Sequence, residues 1–303
     1  NLNLKFGASS FINGDIKIDG LPYFQESFIN LDLTNSSLLP SDLKQYINDS
    51  IAFERIQNFG VTTFTGSFIG FPTDFVADGV FTSPLGRVES DLNLKIAKNS
   101  RLSTYKGSLS TYNFDLGKFL DADSIFQKVQ MTGNIQGSGF TLQYAKLNLN
   151  ANISFLGLNG YEYQNITTNA ELASEFFNGK LKINDPLLKF QMDGSIDLRN
   201  NKNLINIEAD LDTINFKDLN ITKEDFILTA KGKLNGKGIV LDSIEGSTSL
   251  QKIYAAYHGN SLQLDSLVIN TSKNNNFRKL SINSDLFRAS IDGDYVFSQL
   301  QKD

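Results

Sequence analysis

Apolar and polar residues take turns along most of this chain. From Leu147 to Phe155 every odd position is apolar (Leu147, Leu149, Ala151, Ile153, Phe155) and every even one is Asn or Ser. A period of two sends alternate side chains to opposite faces of an extended strand. At about 3.3 Å per residue the run predicts a strand with one dry face roughly 25 Å long. The same alternation opens the chain at Leu2, Leu4 and Phe6. It returns at Leu92-Leu94-Ile96, Leu181-Ile183, Leu188-Phe190-Met192, Ile205-Ile207-Ala209-Leu211, Leu262-Leu264 and Leu280-Ile282. Asn13-Gly14, between the first run and Ile16-Ile18, predicts a hairpin turn. One stretch differs. Leu43, Tyr46, Ile47 and Ile51 have helical spacing after Pro40 and before Gly60. They predict one helix, or two broken near Asp49-Ser50, within residues 41–59, acting as a cap on a sheet edge or open end.

Two strings recur. Met131-Thr-Gly133-Asn-Ile135-Gln-Gly137-Ser-Gly139 is answered by Ala230-Lys-Gly232-Lys-Leu234-Asn-Gly236-Lys-Gly238, with the glycines at an offset of 99. Upstream, Leu109-Ser-Thr111-Tyr-Asn113-Phe114 is answered by Leu211-Asp-Thr213-Ile-Asn215-Phe216 at an offset of 102. The linked matches predict repeat units near residues 109–139 and 211–238. A looser copy is Thr65-Gly66-Ser-Phe68-Ile-Gly70-Phe71. The organisation expected is hairpins plus the helical segment over residues 1–60, then a repetitive array over 61–303, or one continuous array throughout. The segments 116–126 and 217–226 read equally well as short helices or as loops.

No helical run other than 41–59 is long enough to cover a sheet, so the dry faces must meet each other or a guest. The fold expected is all-β: a long curved antiparallel sheet folded as a U-shaped trough with an apolar interior. A closed interior is a core and an open one is a continuous apolar groove. A β-solenoid with a closed core is the rival, although no strict period near 20 residues is present. An outer-membrane barrel would call for aromatic girdles, whereas the 24 Phe and 10 Tyr are scattered and Trp is absent.

Composition narrows the chemistry. The formal charge of −5, with both signs interspersed, argues against a nucleic-acid surface. Without cysteine there is no disulfide, thiol nucleophile or zinc–thiolate site. His258 is the single histidine, which removes histidine metal clusters, and within Tyr254-Ala-Ala-Tyr257-His258-Gly259 it reads as a turn-proximal polar residue. The acid pairs Asp121/Asp123, Asp210/Asp212 and Asp292/Asp294 read as strand faces and turns and lack the further ligands of a calcium loop. Gly137-x-Gly139 lacks the third glycine and the following helix of a dinucleotide fingerprint. No enzyme and no cofactor are expected.

Residues 64–94, Phe64-Thr-Gly-Ser-Phe-Ile-Gly-Phe-Pro-Thr-Asp-Phe-Val-Ala-Asp-Gly-Val-Phe-Thr-Ser-Pro-Leu-Gly-Arg-Val-Glu-Ser-Asp-Leu-Asn-Leu, resemble the TamB proteins of Bacteroidota. The Gly-x-apolar-x-Gly-x-Gly strands resemble those of the wider AsmA-like superfamily, a likeness of strand texture spanning most of the chain. The resemblance implies an internal portion of an inner-membrane-anchored protein that crosses the periplasm. It implies a U-shaped sheet (a β-taco) whose hydrophobic groove carries phospholipid towards the outer membrane. It also implies outer-membrane biogenesis with a BamA-like barrel that meets other parts of the full chain. The groove candidates for acyl chains are Leu92, Leu94, Ile96, Leu147, Leu149, Ile153, Phe155, Ile205, Ile207, Leu211, Leu262 and Leu264. The tripeptides at Asp49-Ser50-Ile51, Asp123-Ser124-Ile125, Asp212-Thr213-Ile214, Asp242-Ser243-Ile244 and Asp265-Ser266-Leu267 resemble the O-glycosylation sequon of exported Bacteroidota proteins. That resemblance makes Ser50, Ser124, Thr213, Ser243 and Ser266 candidate acceptors; each also reads as ordinary turn chemistry.

Overall fold

The computed structural model describes residues 2–44, 53, 57–141, 143–201, 203–238, 243–275 and 277–296. They form an all-β fold whose eighteen strands are assigned to one antiparallel sheet. The chain divides into two compact units, Asn1–Tyr163 and Gln164–Asp303.

Unit 1 carries β1 (Leu2–Phe6), β2 (Ser10–Asp19), β3 (Phe28–Leu38), β4 (Thr62–Phe71), β5 (Asp74–Ser83), β6 (Gly86–Lys95), β7 (Thr104–Asp115), β8 (Phe126–Ser138) and β9 (Lys146–Leu158). Strand β10 (Tyr161–Ala173) starts at the division. Unit 2 continues with β11 (Phe176–Asn184), β12 (Lys189–Asp197), β13 (Leu204–Asn215), β14 (Phe226–Lys237), β15 (Glu245–Tyr257), β16 (Asn260–Asn274), β17 (Phe277–Ser284) and β18 (Arg288–Asp294). Each unit is an open meander in which the registers pair every strand with its neighbour in sequence.

The register is held on the polar face by ion pairs between directly opposed residues. Lys95 meets Asp74 at 2.9 Å, Lys180 meets Asp193 at 3.3 Å, Lys231 meets Asp210 at 2.9 Å and Lys233 meets Glu208 at 3.1 Å. These pairs are exposed and individually weak. A one-residue slip would separate every opposed pair and turn the apolar face outward, so together they oppose it.

A series of β-bulges interrupts the ladders. The registers shift between Leu33 and Ser36, between Thr111 and Phe114 and between Leu211 and Ile214. Asn35, Asn113, Asn165 and Lys252 take positive φ of 44°, 52°, 51° and 52°. Asn tolerates the left-handed region better than most residues, and each bulge bends its strand. Backbone groups that lose a ladder partner are satisfied by side chains, as burial requires. The Ser36 hydroxyl accepts from Asn13 N (3.0 Å), and Thr111 Oγ1 accepts from Met131 N (3.1 Å). Asp185 accepts from Gln164 N at 2.9 Å, and Asp285 from Asp265 N and Ser266 N at 3.1 Å each. At the β1–β2 turn Asp42 accepts from Ala8 N (2.8 Å), Ser9 N (3.2 Å), Ser10 N (3.1 Å) and the Ser10 hydroxyl (2.7 Å).

Three local expectations change. The first hairpin turns at residues 7–9, and Asn13-Gly14 lies inside β2 beside its bulge. Gly7, at φ 61°, supplies that turn, and a side chain there would run into the Asp42 carboxylate. Of the helical segment at 41–59, the described residues form a 3-10 turn at Pro40–Leu43, helical backbone at Phe53, Gln57 and Asn58, and turn residues at Lys44 and Phe59; residues 45–52 and 54–56 lie outside them. The two glycine-bearing strands pair with their neighbours in corresponding registers, but the two predicted offsets are not both kept. Tyr105↔Gly137, Leu109↔Gly133 and Thr111↔Met131 correspond to Ile205↔Gly236, Ala209↔Gly232 and Leu211↔Ala230. The offset is 99 on the second strand, as the glycines indicate, but 100 on the first. The strings matched at 102 are therefore not equivalent in space. Leu109 answers to Ala209, because the pairing partner and not the local string defines a position in a sheet. Between the repeated strands, helix α1 (Leu116–Leu120) follows β7 and turns at 216–220 follow β13. Both connections reach a left-handed residue, Asp121 (φ 56°) and Asn220 (φ 57°).

The carboxylate caps carry a pH signature. Asp42 is held below the usual carboxylate range, first by the Ala8 N–H and then by the Ser10 hydroxyl; Asp285 is held low chiefly by the Ser266 N–H. A carboxyl with a depressed folded pKa stabilises the fold above its unfolded value, and this is lost as pH falls through the folded value. Asp42→Asn and Asp285→Asn should each lower the melting temperature at neutral pH, and the gap to the parent chain should close below about pH 4. Thermal melts followed by far-ultraviolet circular dichroism across the acid range test this, and an undiminished gap in strong acid contradicts it.

Candidate functional site

The registers align the apolar face of each unit into rows that cross the strands. In unit 1 the first row is Ile18, Ile29, Gly70, Phe75, Leu94, Tyr105, Gly137 and Leu147. The second is Ile16, Leu31, Phe68, Ala77, Leu92, Gly107, Ile135 and Leu149. The third consists mostly of small residues: Gly14, Leu33, Gly66, Gly79, Ser90, Leu109, Gly133 and Ala151. The fourth, next to the bulges, runs Ser36, Phe64, Phe81, Val88, Thr111, Met131 and Ile153.

Unit 2 repeats the scheme. One row is Ala170, Gly179, Gly194, Ile207, Leu234, Thr248, Ile269 and Ile282. Another begins at Leu172 and passes through Phe177, Ile196, Ile205, Gly236 and Gly246. Leu211 stands between Phe190 and Ala230. None of these row positions carries a carboxylate or a basic side chain.

The glycines have a defined use on this face. A side chain on Gly137 would strike the Tyr105 ring, which covers it and stacks on Phe140 at 5.5 Å between centroids. Burial there pushes the Tyr105 hydroxyl pKa up. Phe68 and Phe75 stack at 4.3 Å and Phe64 and Phe81 at 6.2 Å. These aromatics belong to the face although strict Leu/Ile alternation does not single them out. Gly66, Ala77 and Gly79 dilute the apolar signal around them, and their Phe-x-Gly-x-Phe spacing is the available clue.

Burial divides the candidates. Leu92, Leu94, Leu147, Ile205, Ile207 and Leu211 are half-buried, while Leu149 and Ile153 are buried. Ile96 lies past the end of β6 and is exposed. Phe155 leaves the face. The register steps from Met131↔Ile153 to Gln130↔Phe155 around the extra residue Ser154, so Leu156, opposite Val129, takes the apolar position. On the far side of the bulges part of the face is closed. Phe114, Val129, Ile214, Ile253 and Leu264 are buried, and Phe119 of α1 packs on Phe114 at 5.5 Å and on Phe59 at 5.8 Å. There Leu264 is 2% exposed, while Leu262, two residues away on β16, is 46% exposed.

The remaining chemistry is dispersed. Asp210 is engaged by Lys231, Asp212 accepts from Thr213 N at 2.9 Å, and His258 Nε2 lies 3.3 Å from Glu224. Among the described residues no three His, Asp or Glu side chains converge on a metal position. A cavity of about 450 Å³ on unit 2 is lined by polar-face residues such as Lys182, Gln191, Asp210 and Lys231 together with parts of Phe190 and Leu211. Ser124, Thr213, Ser243 and Ser266 are exposed, and Ser50 lies outside the described residues. No helix among the described residues is long and apolar enough to cross a membrane.

Each unit is thus an open antiparallel meander with an apolar face whose residues range from buried to half-buried, with a few exposed. No family profile, curated protein or solved structure matches the chain.

The two regimes should respond differently to truncation. Leu264→Ala should cost about 2–5 kcal/mol, whereas Leu92→Ala on the half-exposed face should cost about 1 kcal/mol. Chemical denaturation of the two variants against the parent chain reads the difference, and equal losses would show both positions to be core.

Proposed function

We propose that the half-exposed apolar face holds phospholipid acyl chains, and that this chain is part of a conduit for lipid between the inner and outer membranes. The observation that carries the reading is the rows of Leu, Ile and Phe in the middle of the strands. They are uninterrupted by charge, and Leu92, Leu94, Ile205 and Ile207 stay half-buried beside the buried Ile29, Leu33, Leu149 and Ile153. A face of this kind favours an apolar occupant by about 0.8 kcal/mol for each methylene removed from water. Rows of similar character on successive strands give similar energies at successive positions, so acyl chains can advance by diffusion, without bond chemistry. The headgroup stays where the face meets water. No catalytic residue and no cofactor enter this scheme.

The resemblance of residues 64–94 to TamB supports the cellular setting. In this reading the chain works in the periplasm as a stretch of an inner-membrane-anchored protein, supports outer-membrane biogenesis, and depends on other parts of the full chain to meet a BamA-like barrel. Glycosylation at the exposed Ser124, Thr213, Ser243 and Ser266 is compatible with that compartment. The rival reading, a structural or adhesive β protein without cargo, draws on Leu149, Ile153 and Leu264, which are buried as in an ordinary core.

The deciding experiment places a photocrosslinking amino acid at Ile207 or at neighbouring Asn206 and irradiates cells. Phospholipid adducts at Ile207 and none at Asn206 are expected. Adducts to the protein itself at Ile207, or none, would favour the closed structural reading.

A further inference from the structure

The polar face of unit 1 is broken in one place. Asn30 and Asn93 flank Ile69 and Val76 in the register, and both apolar side chains point to the wet side, 43% and 37% exposed. Phe28 and Phe71 lie one step nearer the strand ends, edge to face at 5.5 Å. Just beyond them the β2–β3 loop presents Leu21, Tyr23 and Phe24, at 63%, 72% and 51% exposure. Leu102, in the β6–β7 loop at the same end of the sheet, is 68% exposed. A water-facing surface has no reason to carry so many large apolar groups together unless something covers them.

The charge around this patch differs from that of the chain. The protein as a whole carries −5, yet residues 96–103 contain Lys98 and Arg101 and no acid. The acid nearest along the register, Asp74, is already occupied by Lys95 at 2.9 Å. Asp19 and Glu26 belong to the β2–β3 side of this end, removed from these cations in the strand order. Arg101 is held with its guanidinium 3.6 Å from the Tyr144 ring of the β8–β9 loop. Apolar groups thus occupy loop tips and an outer strip, with cations on the β6–β7 side beside Leu102 and with Asp19, opposite Phe28, and Glu26 on the β2–β3 side.

We propose that this loop end of unit 1 is a peripheral docking surface for an anionic phospholipid bilayer. The apolar tips sit at the boundary between headgroups and acyl chains, and Lys98 and Arg101 meet lipid phosphates. Protein interfaces deplete lysine at their centres and demand shape complementarity. Separate apolar loop tips with a basic loop at one side of the same end suit a fluid interface, which imposes no shape and rewards aromatic and basic groups at the headgroup level. The surface is distinct from the apolar face of the rows and does not depend on its occupant.

The test is flotation of the 303-residue chain with vesicles of phosphatidylcholine, with and without phosphatidylglycerol. The chain should float with the anionic vesicles and lose that binding as salt is raised. Tyr23→Ser/Phe24→Ser/Leu102→Ser should weaken binding at least about tenfold, and Lys98→Gln/Arg101→Gln should abolish the preference for phosphatidylglycerol. All five positions lie in exposed loops, and circular dichroism verifies that the variants remain folded. Because the chain has no tryptophan, Phe24→Trp supplies a single reporter whose emission should shift to the blue on anionic vesicles. No flotation, unchanged flotation of both variants, or an unshifted emission from the introduced indole would overturn the proposal. So would concentration-dependent self-association that the loop variants abolish, which would assign the patch to a second copy of the chain. Lipid adducts at Ile207 with no vesicle binding would remove this surface and leave the groove reading standing; the converse result would do the opposite.

Discussion

Everything in this molecule depends on the antiparallel ladder between strands that follow one another in sequence. Each strand satisfies its backbone donors and acceptors on its two neighbours, so the sheet can lengthen hairpin by hairpin without a crossover. The pleat then sorts side chains by parity, and a chain with apolar residues at alternate positions acquires one dry face whatever its length. Opposed Lys–Asp and Lys–Glu pairs on the wet face keep the strands from sliding. The bulges are the exceptions, and their capping side chains, Ser36, Thr111, Asp185 and Asp285 among them, leave the interrupted ladder satisfied.

The bulges also separate structure from candidate function. On one side of them residues such as Phe114, covered by α1, and Leu264 are core, although Leu262 stays exposed. On the other side the apolar face consists of rows in which large side chains alternate across strands with Gly, Ala, Ser and Thr. Small residues let neighbouring rings lie down, as Tyr105 does over Gly137, and they keep the face low without introducing charge. Acyl chains suit such a surface because they ask only for apolar area, with no fixed donors or acceptors. The exposed strip around Phe28 and Phe71 obeys the same physics on the opposite face, where the wet environment makes it an exception.

How much of this was legible follows from the range of each signal. Alternation alone assigns Leu92, Leu94, Ile205 and Ile207 to the dry face, and the registers place them there. The same rule assigns Phe155, which leaves the face because an extra residue at Ser154 reverses parity beyond it. The glycines at an offset of 99 stand at corresponding register positions on β8 and β14. The string at 102 does not, since its similarity is one of local composition. Asn13-Gly14 has the chemistry of a tight turn, yet Gly7 and the Asp42 carboxylate take that role.

Sequence alone determined the strand content, the apolar and polar faces and the absence of thiol chemistry. These rest on side-chain identity and a period of two, both local properties. Only the tertiary structure decided where the bulges fall, which residues of the apolar face are sealed, and that Ile69, Phe71 and Val76 gather with Phe28 on the wet side. Those outcomes depend on which residue stands opposite which, and on what lies above it. Pairing between strands sets the first and packing of the connections sets the second, and neither is a property of any one strand's sequence.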